Sequence, residues 1–299
     1  MSPAGPLIPR AHGLGRWAGL LSGGRSNEVR VASHLLIFGF GYSAARLARR
    51  LQGQGWSVES TGSAGTMRFE DGDAVLAALG RATHILSSVP PGENGDPVLA
   101  AYGEAICAAP ATWIGYLSAT GVYGDTGGAW VDESARVGGG RRSARTGADL
   151  AWQAFGQAFG RPTHVFRLPG IYGPGRSALD RIRAGAARMI DVPGQVFSRI
   201  HVDDIVGGVI AGMSGPPGVY NLADDMPCSQ NAVIAHGCAL LGVDPPPMQS
   251  LEGAQLSPAA RAFYAENRRI ANGKARRLLG WAPLYPDYRA GLAACLAEP

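Results

Sequence analysis

The stretch VASHLLIFGFGYSAARLARRLQGQGWSVEST, residues 31–61, decides the architecture of this chain. Val31 to Phe38 is a short apolar run, and Gly39, Gly41 and Ala44 follow it in a G-x-G-x-x-A spacing around Tyr42. A helical pattern runs from Ser43 to Leu51, Gly55 stops it, and Trp56 to Ser60 reads as a second strand. Strand, glycine turn, helix and strand within about 30 residues make the first βαβ unit of a doubly wound parallel sheet. Glycine lets the turn bend sharply and approach a pyrophosphate. The helix N-terminus behind it favours negative charge, and a small residue at the third position lets helix and strand pack closely. The turn predicts dinucleotide binding, against the alternative of a plain structural turn.

Working outward, strands are expected at Thr83 to Gly92 (ending in a small-residue loop), at Ala111 to Thr120 and at Thr163 to Gly175, with helices at Ala74–Leu79, Val98–Ala108 and Gly147–Phe159 between them. That alternation argues for a parallel sheet covered on both faces. Beyond residue 170 the pattern is less regular. Val219 to Asp225 reads as a strand, a helix lies around Asn231 to Leu241, and a last helix runs through NGKARRLLGW to Gly280, with Pro283 as a stop signal. The expected fold class is α/β, a Rossmann-like doubly wound sheet with a smaller C-terminal substrate part. Residues 1–30 read as a disordered extension or a start upstream of the natural one. Residues 31–299 read as a single domain, its core formed by about 31–170 plus about 195–225.

The formal charge is +4 and Lys274 is the sole lysine. Arginine pairs at Arg141-Arg142, Arg268-Arg269 and Arg276-Arg277 are scattered, without the basic stripe and interleaved aromatics of a nucleic-acid surface. Cys107, Cys228, Cys238 and Cys295 form no C-x-x-C pair, which points to a reducing, cytoplasmic setting and no metal site. No apolar run approaches the roughly 20 residues that span a bilayer. The expected partner is a small molecule, with neither nucleic acid nor membrane, and a homodimer is admissible.

Together GFGYSAARLARRL, YLSATGVYGDTGG, FRLPGIYGPGR, IHVDDI and ARRLLGWAP resemble the extended short-chain dehydrogenase/reductase superfamily, in particular its atypical NAD-dependent epimerase/dehydratase-like branch, over about residues 31–299. The resemblance implies that Gly39, Gly41 and Ala44 contact cofactor phosphates. It further implies that Ser87, Val89 and Pro90 lie along the adenosine side, and that Leu168, Pro169, Gly170, Ile171 and Tyr172 approach the nicotinamide. IHVDD would link the core to the substrate part, with Asp203 and Asp204 as helix caps and His201 as either a substrate contact or a satisfied interior histidine. The second strand ends in Thr61, Gly62 and Ser63, with Arg68 beyond. Small polar residues there suit a 2′-phosphate better than a carboxylate would, so the cofactor is NAD or NADP with a lean to NADP.

The superfamily's usual machinery is a Ser or Thr at the end of this strand, then Tyr and Lys four residues apart on the next helix. In this chain the hydroxyl position falls on Ala119, between Ser118 and Thr120, and the best registration of the helix puts Arg141 and Arg145 at the Tyr and Lys positions. Arginine holds its charge but does not shuttle protons. The triad is absent, which leaves Thr120, Ser118 and Tyr172 as catalytic candidates and Tyr123, Asp125, Arg176 and His201 as substrate contacts. The expected function is an NAD(P)-dependent oxidoreductase or epimerase/dehydratase-like enzyme with a non-standard acid/base, acting on a small polar or nucleotide-linked substrate. The alternative is a non-catalytic NAD(P)-binding sensor or partner-binding protein.

Overall fold

A computed structural model describes residues 33–138 and 143–298. The N-terminal half runs β1 (His34–Phe38), α1 (Tyr42–Gln52), β2 (Ser57–Thr61), α2 (Gly72–Leu79), β3 (His84–Ser87), α3 (Pro97–Ala108), β4 (Trp113–Ala119), β5 (Trp130–Val131) and α4 (Ser143–Ala158). It continues with β6 (Thr163–Leu168), β7 (Gly170–Tyr172), α5 (Ala178–Arg183), β8 (Met189–Asp191), β9 (Arg199–His201), α6 (Val202–Ser214) and β10 (Gly218–Asn221). The last elements are α7 (Gln230–Leu241), β11 (Met248–Ser250), α8 (Pro258–Phe263), β12 (Arg269–Ile270), α9 (Gly273–Leu279) and α10 (Tyr288–Ala297).

Six of these strands form one parallel sheet in the order β2-β1-β3-β4-β6-β10. Burial on both faces explains why the strands read as continuous apolar runs rather than alternating ones. On β1, Leu35 and Ile37 face one core with Leu47 of α1 and Ile205 of α6. Leu36 and Phe38 face the other, with Val75, Ile106 and Trp152 from α2, α3 and α4. The chain leaves β1 for β2 on one side and returns to β3 on the other. The crevice at the carboxyl ends of β1 and β3 is thus the topological switch point, where doubly wound sheets take ligands.

Helices α5, α8 and α10 escaped the sequence reading, which for α6 gave only a cap at Asp203 and Asp204. In α6 the glycines of VDDIVGGVIAGMS argue against a helix by propensity, yet they serve packing. A Cβ on Gly208 would lie 2.5 Å from Leu222 Cδ1, and one on Gly212 would lie 2.6 Å from Phe166 Cζ. Close approach of helix to sheet outweighs the propensity cost. Helix α10 packs with α5 and α7 around Tyr172, Leu179, Val233 and Leu292, a small third core beneath the substrate side. The parallel pairing of β7 with β9 hangs the loop after β6 on the strand carrying His201.

Candidate functional site

The glycine turn after β1 is built from its backbone outward. Gly39 has φ +83°, in the left-handed region that favours glycine, and a Cβ there would sit 3.0 Å from Val89 Cγ2. Its N–H donates to Thr61 Oγ1 (3.2 Å) and its carbonyl accepts from Ser88 Oγ (2.8 Å). These bonds pin the turn between β2 and the loop after β3. Gly41 is the N-cap of α1, with no side chain capping the helix and no acidic residue in its first turn. A Cβ on Gly41 would meet no atom within 4 Å. The first N–H groups of α1 and that open space belong to a cleft of about 1360 Å³ running from Gly41 past Ala119 and Leu168 to Arg199 and Tyr264. An uncapped helix N-terminus facing room that a side chain would fill fits a phosphate group.

On the adenosine side, Ser63 is exposed just past β2. Glu59 sits mid-strand and is bound to Arg81 Nη2 (2.5 Å) and His34 Nε2 (2.7 Å), so it does not reach the strand end. Ser87 is fully buried and its Oγ makes no hydrogen bond. Its neighbour Ser88, absent from the sequence reading, lines the cleft instead. Alternation along the strand sends adjacent side chains to opposite faces, so the Ser88 side chain, not that of Ser87, is the one on the cleft. Val89 packs on the core and Pro90 lines a separate shallow pocket beside Asp96.

At the end of β4 the structure separates the hydroxyl candidates. Ser118 Oγ donates to Asp149 Oδ2 (2.6 Å), and Asp149 is held in addition by Arg167 through Nη2 (2.7 Å) and Nε (3.1 Å) and by Gln153 (2.6 Å). Arg167 Nη1 also donates to Tyr123 Oη (3.0 Å), which donates to Asn221 Oδ1 (2.8 Å). The Arg167–Asp149 pair is buried, and its members satisfy one another across β4, α4, β6 and β10. Ser118 lines the cleft, yet its hydroxyl and that of Tyr123 are both engaged in this buried network. A signal existed in the sequence: a lone arginine inside the apolar strand THVFRL demands a buried partner. Thr120 begins the tight turn after β4 and lines the cleft beside Ala119. Arg145 lines it too and donates to Tyr116 Oη (3.3 Å). Arg141, its companion in the registration, lies outside the described residues.

The remaining candidates are also redistributed. Tyr172 is buried with its Oη unpartnered against α10, where a Cβ on Gly291 would collide with it. Burial, followed by the nearby Asp224 charge, pushes its pKa up, so it is a poor proton donor. Asp125 accepts from the N–H groups of Asn267 (2.8 Å) and Gly127 (3.1 Å), clamping two loops. His201 is an interior histidine. Its Nδ1 accepts from Asp203 N (3.2 Å), its Nε2 lies 3.7 Å from Cys295 Sγ, and burial lowers its pKa. His201 is thus the cap of α6, and the two aspartates expected to cap it do other work. Asp203 pairs with Arg46 (2.6 Å), and Asp204 accepts from the N–H groups of Leu284 and Tyr285. Arg176 does reach the cleft, exposed, with its guanidinium 5.6 Å from the Tyr42 ring centroid. Tyr42 itself donates to Pro174 O (2.9 Å), tying α1 to the loop after β7. Leu168 to Tyr172 line the same cleft.

No family profile matches the chain. A functionally unknown conserved protein of Silicibacter pomeroyi is 42% identical, with TM-score 0.80 over 89% of this chain and 99% of that one. The chain belongs to that protein's family. Its fold is that of the extended short-chain dehydrogenase/reductases of the NAD-dependent epimerase/dehydratase type. Among these, the dTDP-glucose 4,6-dehydratase of Streptomyces venezuelae, solved with NAD bound, has TM-score 0.71 at 17% identity over 88% of this chain and 96% of that one. A 3-diazoavenalumate denitrifying reductase of a Streptomyces species is 34% identical over 140 residues, 43% of this chain and 45% of that one. The matched region thus spans about half the length of that reductase. Among the described residues no helix is long and apolar enough to cross a membrane.

Proposed function

We propose that the protein is an NAD(P)H-dependent reductase of a small, strongly electrophilic substrate that supplies its own driving group. The observation that carries the cofactor part is the uncapped N-terminus of α1 at the switch point, with Gly41 facing open space. Gly39, Gly41, the first N–H groups of α1 and Arg176 would hold the pyrophosphate, and the loop Leu168–Tyr172 would flank the nicotinamide. Bound there, the dinucleotide supplies a hydride. Neighbours of this fold crystallised with NAD support that reading.

The rest follows from this chain's own side chains. Ala119 offers a methyl group where the superfamily has a hydroxyl, Ser118 is held by Asp149, and Arg145 keeps its proton. Among the described residues such a site can orient a substrate but offers no acid placed to protonate an oxyanion. It suits a substrate whose reduction expels a leaving group, as the name of the denitrifying reductase describes for that enzyme. The second strand's Ser60–Ser63 end, with Glu59 already engaged, favours NADP over NAD.

The test is calorimetric titration with NADPH and NADH, followed by absorbance assays of NADPH oxidation with arenediazonium, carbonyl and nucleotide-sugar substrates. Turnover is expected with the diazonium compounds. Binding of neither cofactor would remove the reading, and cofactor binding without turnover on any substrate would favour a sensor.

A further inference from the structure

On the cleft lining, in register with Gly170 across the β7–β9 pair, Arg199 is only 7% exposed, and no carboxylate lies within ion-pairing distance of it among the described residues. A buried guanidinium keeps its charge, and holding that charge away from water costs several kcal/mol unless an anion or a full set of acceptors answers it. The protein supplies only part of that set. Nη1 donates to the carbonyls of Phe197 (2.8 Å) and Cys228 (3.1 Å) and lies 3.2 Å from Cys228 Sγ. Nη2 donates to Gln230 Oε1 (3.0 Å), and Nε makes no hydrogen bond among the described residues. The side edge of the fork, Nε with Nη2, is therefore the part left incompletely used, and Arg199 and Gln230 both line the cleft.

The wall beside this edge is flat and apolar. The rings of Phe197 and Tyr264 meet edge to face with centroids 5.6 Å apart, and the Arg199 guanidinium lies 5.9 Å from the Phe197 centroid. Both rings line the same cleft. The other carboxylates on its lining have partners: Asp180 closes the cap of α5 with Ser177, and Glu266 pairs with Arg268 (2.8 Å). Asp224 is the buried acid that feels Arg199, and burial pushes its carboxyl up to about 7, which weakens it as a standing counter-charge at neutral pH.

We propose that Arg199 and Gln230 form the carboxylate subsite of this cleft, and that the substrate is a small aromatic or conjugated carboxylic acid. Its carboxylate takes the Nε–Nη2 edge of Arg199, and its flat body lies along Phe197 and Tyr264. A planar carboxylate matches a two-donor guanidinium edge, whereas a phosphate ester would present a third oxygen to an apolar wall. The inference rests on the reductase reading for the substrate's fate, but the binding it asserts is measurable without cofactor.

The experiment is calorimetry of the full chain with cinnamate, methyl cinnamate, phenyl phosphate and UDP-glucose, with and without NADPH. Cinnamate should bind, and the other three should bind at least about tenfold more weakly, since each loses or misfits the charged bidentate contact. Arg199→Lys keeps the charge and loses the fork, and should weaken cinnamate roughly 10- to 100-fold. Because Arg199 is buried, Gln230→Met serves as the second variant. With an unchanged melting temperature it should still weaken cinnamate severalfold by freeing the guanidinium to turn. Equal binding of the methyl ester, tighter binding of phenyl phosphate or UDP-glucose, or unchanged cinnamate affinity in both folded variants would overturn the proposal. Cinnamate binding without any dinucleotide binding would support the subsite and refute the hydride reading.

Discussion

Gly41 and the two hydroxyls around Ala119 carry the sharpest expectations. Replacing Gly41 by Asp puts a side chain and a negative charge into the space in front of α1. NADPH binding by calorimetry should be lost while the far-ultraviolet spectrum stays native, since no neighbour lies within 4 Å to be displaced. Ser118→Ala and Thr120→Val should differ in kind. Ser118 donates to a buried carboxylate, so its loss should cost about 2 kcal/mol in urea denaturation and leave NADPH affinity unchanged. Both residues line the cleft, but among the described residues no carboxylate takes the Thr120 hydroxyl, so Thr120→Val should leave stability nearly intact and lower kcat about tenfold or more once a substrate is in hand. Equal effects on kcat would mean that the strand end is scaffold alone.

Helix α6 and the loop after β10 show what burial does to carboxyl groups that local sequence leaves unremarkable. Burial pushes Asp204 up to about 6 and Asp224 up to about 7, although both accept backbone hydrogen bonds. The folded protein therefore holds a proton at Asp224 that the unfolded chain has already lost between about pH 4 and 7. Stability falls as pH rises through that window and levels above it, by on the order of 4 kcal/mol at most from this group. Asp224→Asn should flatten the fall, as followed by denaturation midpoints from acid to neutral pH. An unchanged profile would place the ionised carboxylate in the folded state throughout, with Arg199 as its counter-charge.

For the molecule as a whole, the cleft joins the sheet's carboxyl edge to the C-terminal part, and Arg46 of α1 binds both Asp203 of α6 and Glu298 after α10. A dinucleotide bound to the folded state alone should stabilise both sides together. At about 100 times its dissociation constant the gain is about 2.7 kcal/mol, or roughly 5–10 °C in Tm for a chain of this size. NADPH should produce that shift at lower concentration than NADH, and Gly41→Asp should abolish it. A larger shift with NADH would place the ribose specificity outside the Ser60–Ser63 turn.

The local patterns in the chain determined the sheet, its first βαβ unit and the glycine turn, because glycine spacing, apolar runs and the Gly280 stop are properties of near neighbours in sequence. The left-handed φ of Gly39 and the open space at Gly41 are what such a turn requires. Ala119 and the absence of a lysine near Arg145 were equally plain. Three-dimensional packing settled everything that depends on residues far apart. Ser118 meets Asp149 across 31 residues, Tyr123 meets Asn221 across 98, and His201 meets Cys295 across 94. Each of those side chains reads as a site residue until its partner is known. Of helix α6 only the capped start was legible, for the converse reason: its glycines weaken the helix alone and are tolerated because Leu222 and Phe166 press against it. Arg199 carried no signal in the chain, since only the folded cleft shows a buried cation with an unused edge and, among the described residues, no carboxylate in ion-pairing contact with it.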